Sequence, residues 1–160
     1  MSTPSTRRTP DPIERNRNLG LAINRDIWND RRIELIPDYF SEDFVADYSP
    51  RVVRRGWAGI EAAVNAAHLV FEGFREEVRH VIADADHVVV DFTISGSRVQ
   101  PWGPIPATNR LVSYDEIVIM TIHEDKVVHQ IGVADNLLAL QQVGALPDPS
   151  GFVAASSDDA

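Results

Sequence analysis

Asp135 closes the segment Val127-Val128-His129-Gln130-Ile131-Gly132-Val133-Ala134, immediately before an apolar helical stretch. Strand alternation places His129, Ile131, Val133 and Asp135 on one face. A carboxylate among mainly apolar neighbours is desolvated; its pKa rises and it becomes a general acid or base usable near neutral pH. His129 shares that expected face, and Tyr48 ends an earlier strand with Asp47. Both His129 and Tyr48 are candidates to relay the proton of Asp135. The competing reading makes Asp135 the N-cap of the following helix, where backbone N–H groups would lower its pKa instead.

Other polar residues interrupt apolar runs. Asp91 sits inside Val88-Val89-Val90-Asp91-Phe92-Thr93-Ile94, either lining a polar pocket or facing solvent or a partner subunit. Trp57 and Trp102 flank glycine-containing loops, as lip residues of a ligand cavity or as ordinary core. With Phe74 and Tyr114 they are the expected apolar wall, and Asp47 and Asp91 are the polar candidates for substrate binding.

Whole classes of chemistry are excluded. With no cysteine, thiolate metal sites, disulfides and cysteine nucleophiles are ruled out. His68, His80, His87, His123 and His129 include no H-x-x-x-H pair, and there is no G-x-S-x-G, G-x-G-x-x-G or P-loop motif. No metal or cofactor is therefore expected. The net charge of -9 disfavours nucleic acid. No apolar run approaches a membrane span and the N-terminus lacks a secretory h-region, so a cytoplasmic protein is expected.

The elements that must position these residues follow from periodicity. Residues 1–10 and 147–160 are rich in Ser, Thr, Pro and small residues and read as flexible tails around one domain over 11–146. Asp11, Pro12 and Glu14 open a helix whose apolar face carries Leu19, Ile23 and Ile27, and Asn29-Asp30 break it. A short second helix follows around Pro37, then a strand over 43–48 and a helix from Gly56 to Gly73. From Phe74 the period becomes two, with strands expected at 75–83, 87–97, 109–123 and 126–135, and a last helix over 136–143 stopped by Gly144. Helices first and an antiparallel meander second define an α+β class.

The order of these segments resembles the SnoaL-like polyketide cyclases of the NTF2-like superfamily, over about residues 20–146. The resemblance is carried by Trp28-Asn29, Phe40-Ser41-Glu42-Asp43-Phe44-Val45, Gly56-Trp57-Ala58-Gly59-Ile60-Glu61, Phe71-Glu72-Gly73-Phe74, Val81-Ile82-Ala83-Asp84-Ala85-Asp86-His87-Val88 and Gly103-Pro104-Ile105-Pro106-Ala107-Thr108. It ends with Asp135 followed by Leu137-Leu138 and Gln141-Gln142-Val143-Gly144. It implies a cone: a curved antiparallel sheet wrapped over the N-terminal helices around an apolar cavity, usually in a homodimer. It also implies a cofactor-independent cyclase on a polyketide-type biosynthetic intermediate, with Asp135 as general acid/base of an intramolecular aldol closure. Epoxide opening, pericyclic closure and non-catalytic binding of a small hydrophobic molecule are the alternatives on the same fold. The chain departs from the pattern at Gly96-Ser97-Arg98, where the family often has G-T-H, and at Ile131, where it has tryptophan. It also departs at Ala46-Asp47-Tyr48-Ser49-Pro50, in place of a histidine-rich turn.

Overall fold

The structure, a computed structural model, describes residues 11–49, 52–101 and 103–147. Residues 1–10 and most of 147–160, expected as tails, lie outside the described residues, as does Trp102.

Asp11 caps the first helix, α1 (Pro12–Ala22), accepting a hydrogen bond from the Ile13 backbone N–H at 3.2 Å, with Pro12 in the first turn. The helix does not stop at Ala22. It widens into a π-helical stretch, Ile23–Asn29, and ends at Asp30, where the Asn29-Asp30 break was expected. A 3₁₀ turn (Ile33–Leu35) and the short α2 (Ile36–Tyr39) lead into β1 (Phe40–Ser49). The chain continues through β2 (Val52–Arg55), α3 (Gly56–Val70), β3 (Phe71–Ala83), β4 (His87–Arg98), β5 (Leu111–His123), β6 (Lys126–Ala134) and α4 (Asn136–Gln142). The third helix thus ends at Val70, short of the expected Gly73, because Phe71 already takes an extended conformation and opens β3.

The six strands form one sheet in the order β2-β1-β6-β5-β4-β3. Every pairing is antiparallel except β1 with β6, which run parallel. Register shifts in β3 at Glu72/Arg75 and Val78/His80 bend that strand, as bulges do. The sheet therefore curves around the helices without closing. Val88, Val90, Phe92 and Ile94 of β4 and Val118 and Met120 of β5 turn inward to meet Ile23 and Ile27 of the first helical segment and Ile60 and Val64 of α3. This is the expected α+β cone. Among the described residues no helix is long and apolar enough to cross a membrane.

One buried carboxylate fixes the π-helical stretch. Asp26, 4% exposed, accepts from Arg25 Nε at 2.7 Å and Nη2 at 2.9 Å and from the Tyr39 hydroxyl at 2.6 Å. The Arg25 hydrogen bond, joined by that of Tyr39, outweighs burial and lowers its pKa to about 2. A depressed carboxylate stabilises the fold above the pKa of the unfolded chain and loses that contribution as pH falls through the folded value. At about 1.4 kcal/mol per pKa unit, Asp26 contributes on the order of 2 kcal/mol at neutral pH. Urea denaturation should find Asp26→Asn less stable by about that amount at pH 7, with the gap closing between pH 4 and pH 2.

Candidate active site

The concave face of the sheet, the π-helical stretch and α3 enclose a cavity of about 890 Å³. It is lined by small residues of α3, among them Gly59, Ala63 and Ala67, and by Trp28, Phe71, Phe74, Phe92 and Ile94. Two carboxylates enter this apolar space, Glu76 from β3 and Glu116 from β5.

Glu76 is 5% exposed, and three hydrogen bonds from the π-helical stretch hold it. Asn24 Nδ2 donates to its carboxyl Oε2 at 2.5 Å. The Asn29 side chain grips its peptide, donating to the Glu76 carbonyl at 2.8 Å and accepting from the Glu76 N–H at 2.7 Å. β3 is an edge strand, so these peptide groups have no neighbouring strand on that side, and the Asn29 amide takes its place. Burial, reinforced by the nearby charge of Glu116, pushes the Glu76 carboxyl well above the usual carboxylate range; the Asn24 hydrogen bond opposes this only in part.

Glu116 is half-buried, and desolvation raises its pKa too, opposed by the Tyr48 hydroxyl and the positive charge of Arg54. The Gln130 side-chain amide donates to the Tyr48 hydroxyl, and the Arg54 guanidinium lies 4.8 Å from the Tyr48 ring centroid. The phenol itself is raised, chiefly by burial and next by the charge of Glu116. The Tyr48 ring lies against Gly132, where any Cβ would collide with it. The cavity thus holds one carboxyl in an amide clamp and a second beside a phenol and a guanidinium, environments that tune acid and base differently.

Tyr48, Phe74 and Tyr114 line this cavity. Asp135 does not. It is exposed, and its Oδ1 accepts from the Leu138 N–H at 2.9 Å as the N-cap of α4. The expected face carrying His129, Ile131, Val133 and Asp135 is the outer one: Ile131 is 44% and Val133 78% exposed. Gln130, Gly132 and Ala134 turn toward the cavity instead. His129 sits on the outer side 3.7 Å from the exposed Asp47, so neither adjoins the cavity. Asp91 also faces outward, paired with Arg79 and, at 2.8 Å, with His80 Nδ1. Trp57 is half-buried against the core, its indole N–H donating to the Phe40 carbonyl at 2.9 Å, and is not part of the cavity wall.

Glu76 and Glu116 were the residues that sequence reasoning passed over, yet their signal was present. Each lies two residues from apolar or aromatic neighbours on both sides, Phe74 and Val78 for one, Tyr114 and Val118 for the other. Period-two alternation then turns a carboxylate toward the interior. Among the described residues no three His, Asp or Glu side chains converge as a metal site.

An α+β cone with a deep cavity under a curved sheet defines the NTF2-like class of proteins. Within that class, residues 20–143 match the model of the SnoaL-like polyketide cyclase family, and the chain belongs to it. No curated protein sequence matches the chain significantly. Among solved structures it is similar to TsrD from Streptomyces laurentii, at 23% identity and a TM-score of 0.75, covering 83% of this chain and 97% of that one. It is also similar to AclR from Streptomyces galilaeus, which carries a provisional hydroxylase assignment (23% identity, TM-score 0.77, 91% and 95% covered). A SnoaL-like polyketide cyclase from Agrobacterium tumefaciens str. C58 matches at 16% identity and a TM-score of 0.68, with 79% and 96% covered.

The raised pKa of Glu76 has a sign that stability can read. Above the pKa of the unfolded carboxyl the unfolded chain is ionised while the folded one must hold its proton, so stability is lost as pH rises toward the folded value. Glu76→Gln keeps an oxygen for Asn24 and removes the titration. It should melt higher than the wild type at pH 7–8, with the advantage gone near pH 4, by thermal denaturation across that range.

Proposed function

We propose that the chain is a cofactor-independent cyclase of a ring-forming, polyketide-type intermediate, with Glu116 as general base and Glu76 as general acid. The observation that carries this reading is the pair of carboxyl groups in one apolar cavity, differently partnered. An aldol closure needs a proton taken from carbon and a proton given to the new alkoxide. Glu116, beside Arg54 and Tyr48, takes the first; Glu76 gives the second. Tyr48 steadies the Glu116 carboxylate and Gln130 steadies Tyr48, so base and substrate meet in a fixed geometry. Phe74, Phe92 and the alanine wall of α3 fold the flexible substrate. Asp135 belongs to stability in this account, as a helix cap worth about 1 kcal/mol.

The family match supports the reaction class, and the two carboxyl groups in the cavity support the residue roles. 2-Tetralone, an aromatic ketone with exchangeable α-protons, probes the base directly. Its α-deuteration in D₂O, followed by NMR, should be accelerated by the wild type. Glu116→Gln should lose roughly 10²–10⁴ of that rate, while Asp135→Asn should keep it and melt slightly lower. Wild-type exchange by Glu116→Gln would remove the proposed base and leave a binding module as the better account.

We also propose a homodimer formed through the outer sheet face. Ile117 stands opposite Val133 and Ile119 opposite Ile131 in the β5–β6 register, and all four side chains are exposed. An apolar block of this kind on an antiparallel sheet needs cover. Sedimentation should find a dimer at micromolar concentration and a monomer for Val133→Arg; a monomeric wild type would overturn the assignment.

A further inference from the structure

The chain holds 24 acidic against 15 basic residues, and several of its arginines hold a carboxylate. Arg15 pairs with Asp125, Arg25 with Asp26, Arg32 with Glu34 and Arg79 with Asp115. Arg54 and Arg55 differ. Both line the cavity, and among the described residues neither has a carboxylate within ion-pair distance. Arg54 is half-buried, its guanidinium held over the Tyr48 ring at 4.8 Å. Arg55 and Val53 are exposed and yet line the cavity. They belong to β2, an edge strand of the sheet, so the cavity opens to solvent beside that edge. Two consecutive guanidiniums at the mouth of an apolar space reverse, locally, the charge of the whole chain.

We infer that Arg54 and Arg55 form a carboxylate-binding subsite at the cavity mouth, and that the substrate is an apolar carboxylic acid bound as its anion. The inference rests on the reading of this cavity as the substrate site and names the class of molecule it takes. A guanidinium presents its N–H donors in a planar fork that fits a carboxylate through two parallel hydrogen bonds. The Tyr48 ring already orients the Arg54 guanidinium, which cuts the entropy lost when it engages a ligand.

The charge balance selects the ligand. Two guanidiniums set against the one Glu116 carboxylate leave a single positive charge, the complement of a monoanion rather than of a phosphate dianion. The rest of the lining, with Phe71, Phe74, Phe92 and the alanines of α3, takes an apolar body, and about 890 Å³ is space for several rings. With its carboxylate kept at the solvent-facing end, such an acid avoids most of the cost of burying a charge. A neutral ester or amide of the same body leaves both guanidiniums without that partner.

Binding of 2-naphthoate, 2-naphthamide and 2-naphthyl phosphate to the full chain, by fluorescence titration at pH 8, tests this without turnover. The three share one ring system and differ in the charge it carries. The wild type should bind naphthoate about tenfold more tightly than the amide, and more tightly than the phosphate. Raising salt from about 50 mM to about 500 mM should shrink the preference. Arg55→Gln, a change at an exposed side chain, should lose most of the preference and leave amide binding unchanged. Arg54→Gln should lose most of it too, whereas Arg54→Lys, which keeps the charge without the fork, should retain part. Equal affinity for naphthoate and naphthamide in the wild type would overturn the inference, as would an undiminished preference in both glutamine variants. Tighter binding of the phosphate would overturn the carboxylate class. The 2-tetralone exchange reads the acid–base scheme separately. Exchange without a preference for naphthoate sinks the carboxylate subsite alone; the preference without exchange upholds the subsite and removes the acid–base scheme.

Discussion

The three hydrogen bonds from Asn24 and Asn29 to Glu76 are the contacts on which the site depends. A carboxyl in an apolar cavity is expensive, and it stays in place only where polar partners hold it. Both asparagines belong to a helix that has widened to π geometry, and the buried Asp26 with its arginine and tyrosine donors secures that widening. Their target lies on the edge strand, where backbone groups are free to be gripped from outside the sheet. Edge strand, π-helical stretch and buried acid are thus one mechanical unit. π-Helical segments are concentrated at functional sites, and here the segment delivers two amides to one residue.

The sheet separates two kinds of face. Inward positions combine aromatic residues with small and polar ones: Gln130, Gly132 and Ala134 on β6, Glu116 and Tyr114 on β5. Outward positions of the same strands carry Ile117, Ile119, Ile131 and Val133. Val112, Val118 and Met120 of β5 also turn inward, so both faces of these strands carry aliphatic side chains and apolar character alone does not mark the inner one.

That two-sided apolar pattern explains what was legible in the sequence. The helix start at Asp11-Pro12, the break at Asn29-Asp30 and the switch to period two all follow from local rules, and each has its place in the fold. The parity of β6 did not, since Ile131 and Val133 looked like the buried set and carried Asp135 inward with them. Asp135 could equally be read as a cap, and the hydrogen bond to Leu138 makes it one. The π-helical widening has no sequence signature of its own, so the grip of Asn29 on an edge strand nearly fifty residues away was out of reach of periodicity.

The parallel pairing of β1 with β6 sets the order in which the molecule can be assembled. Phe40 lies opposite Val127, and Val45, Ala46 and Asp47 lie opposite His129, Gln130 and Ile131. Strands β3 to β6 follow one another in sequence and pair as neighbours, whereas β1 waits for the last strand before it has an inner partner. Such long loops must close before their contacts reward them, which slows folding. During synthesis the first third of the chain therefore emerges long before its docking edge exists. The Tyr48–Gln130 contact bridges these two strands, so this part of the cavity's polar chemistry requires segments from both ends of the domain to be in place together.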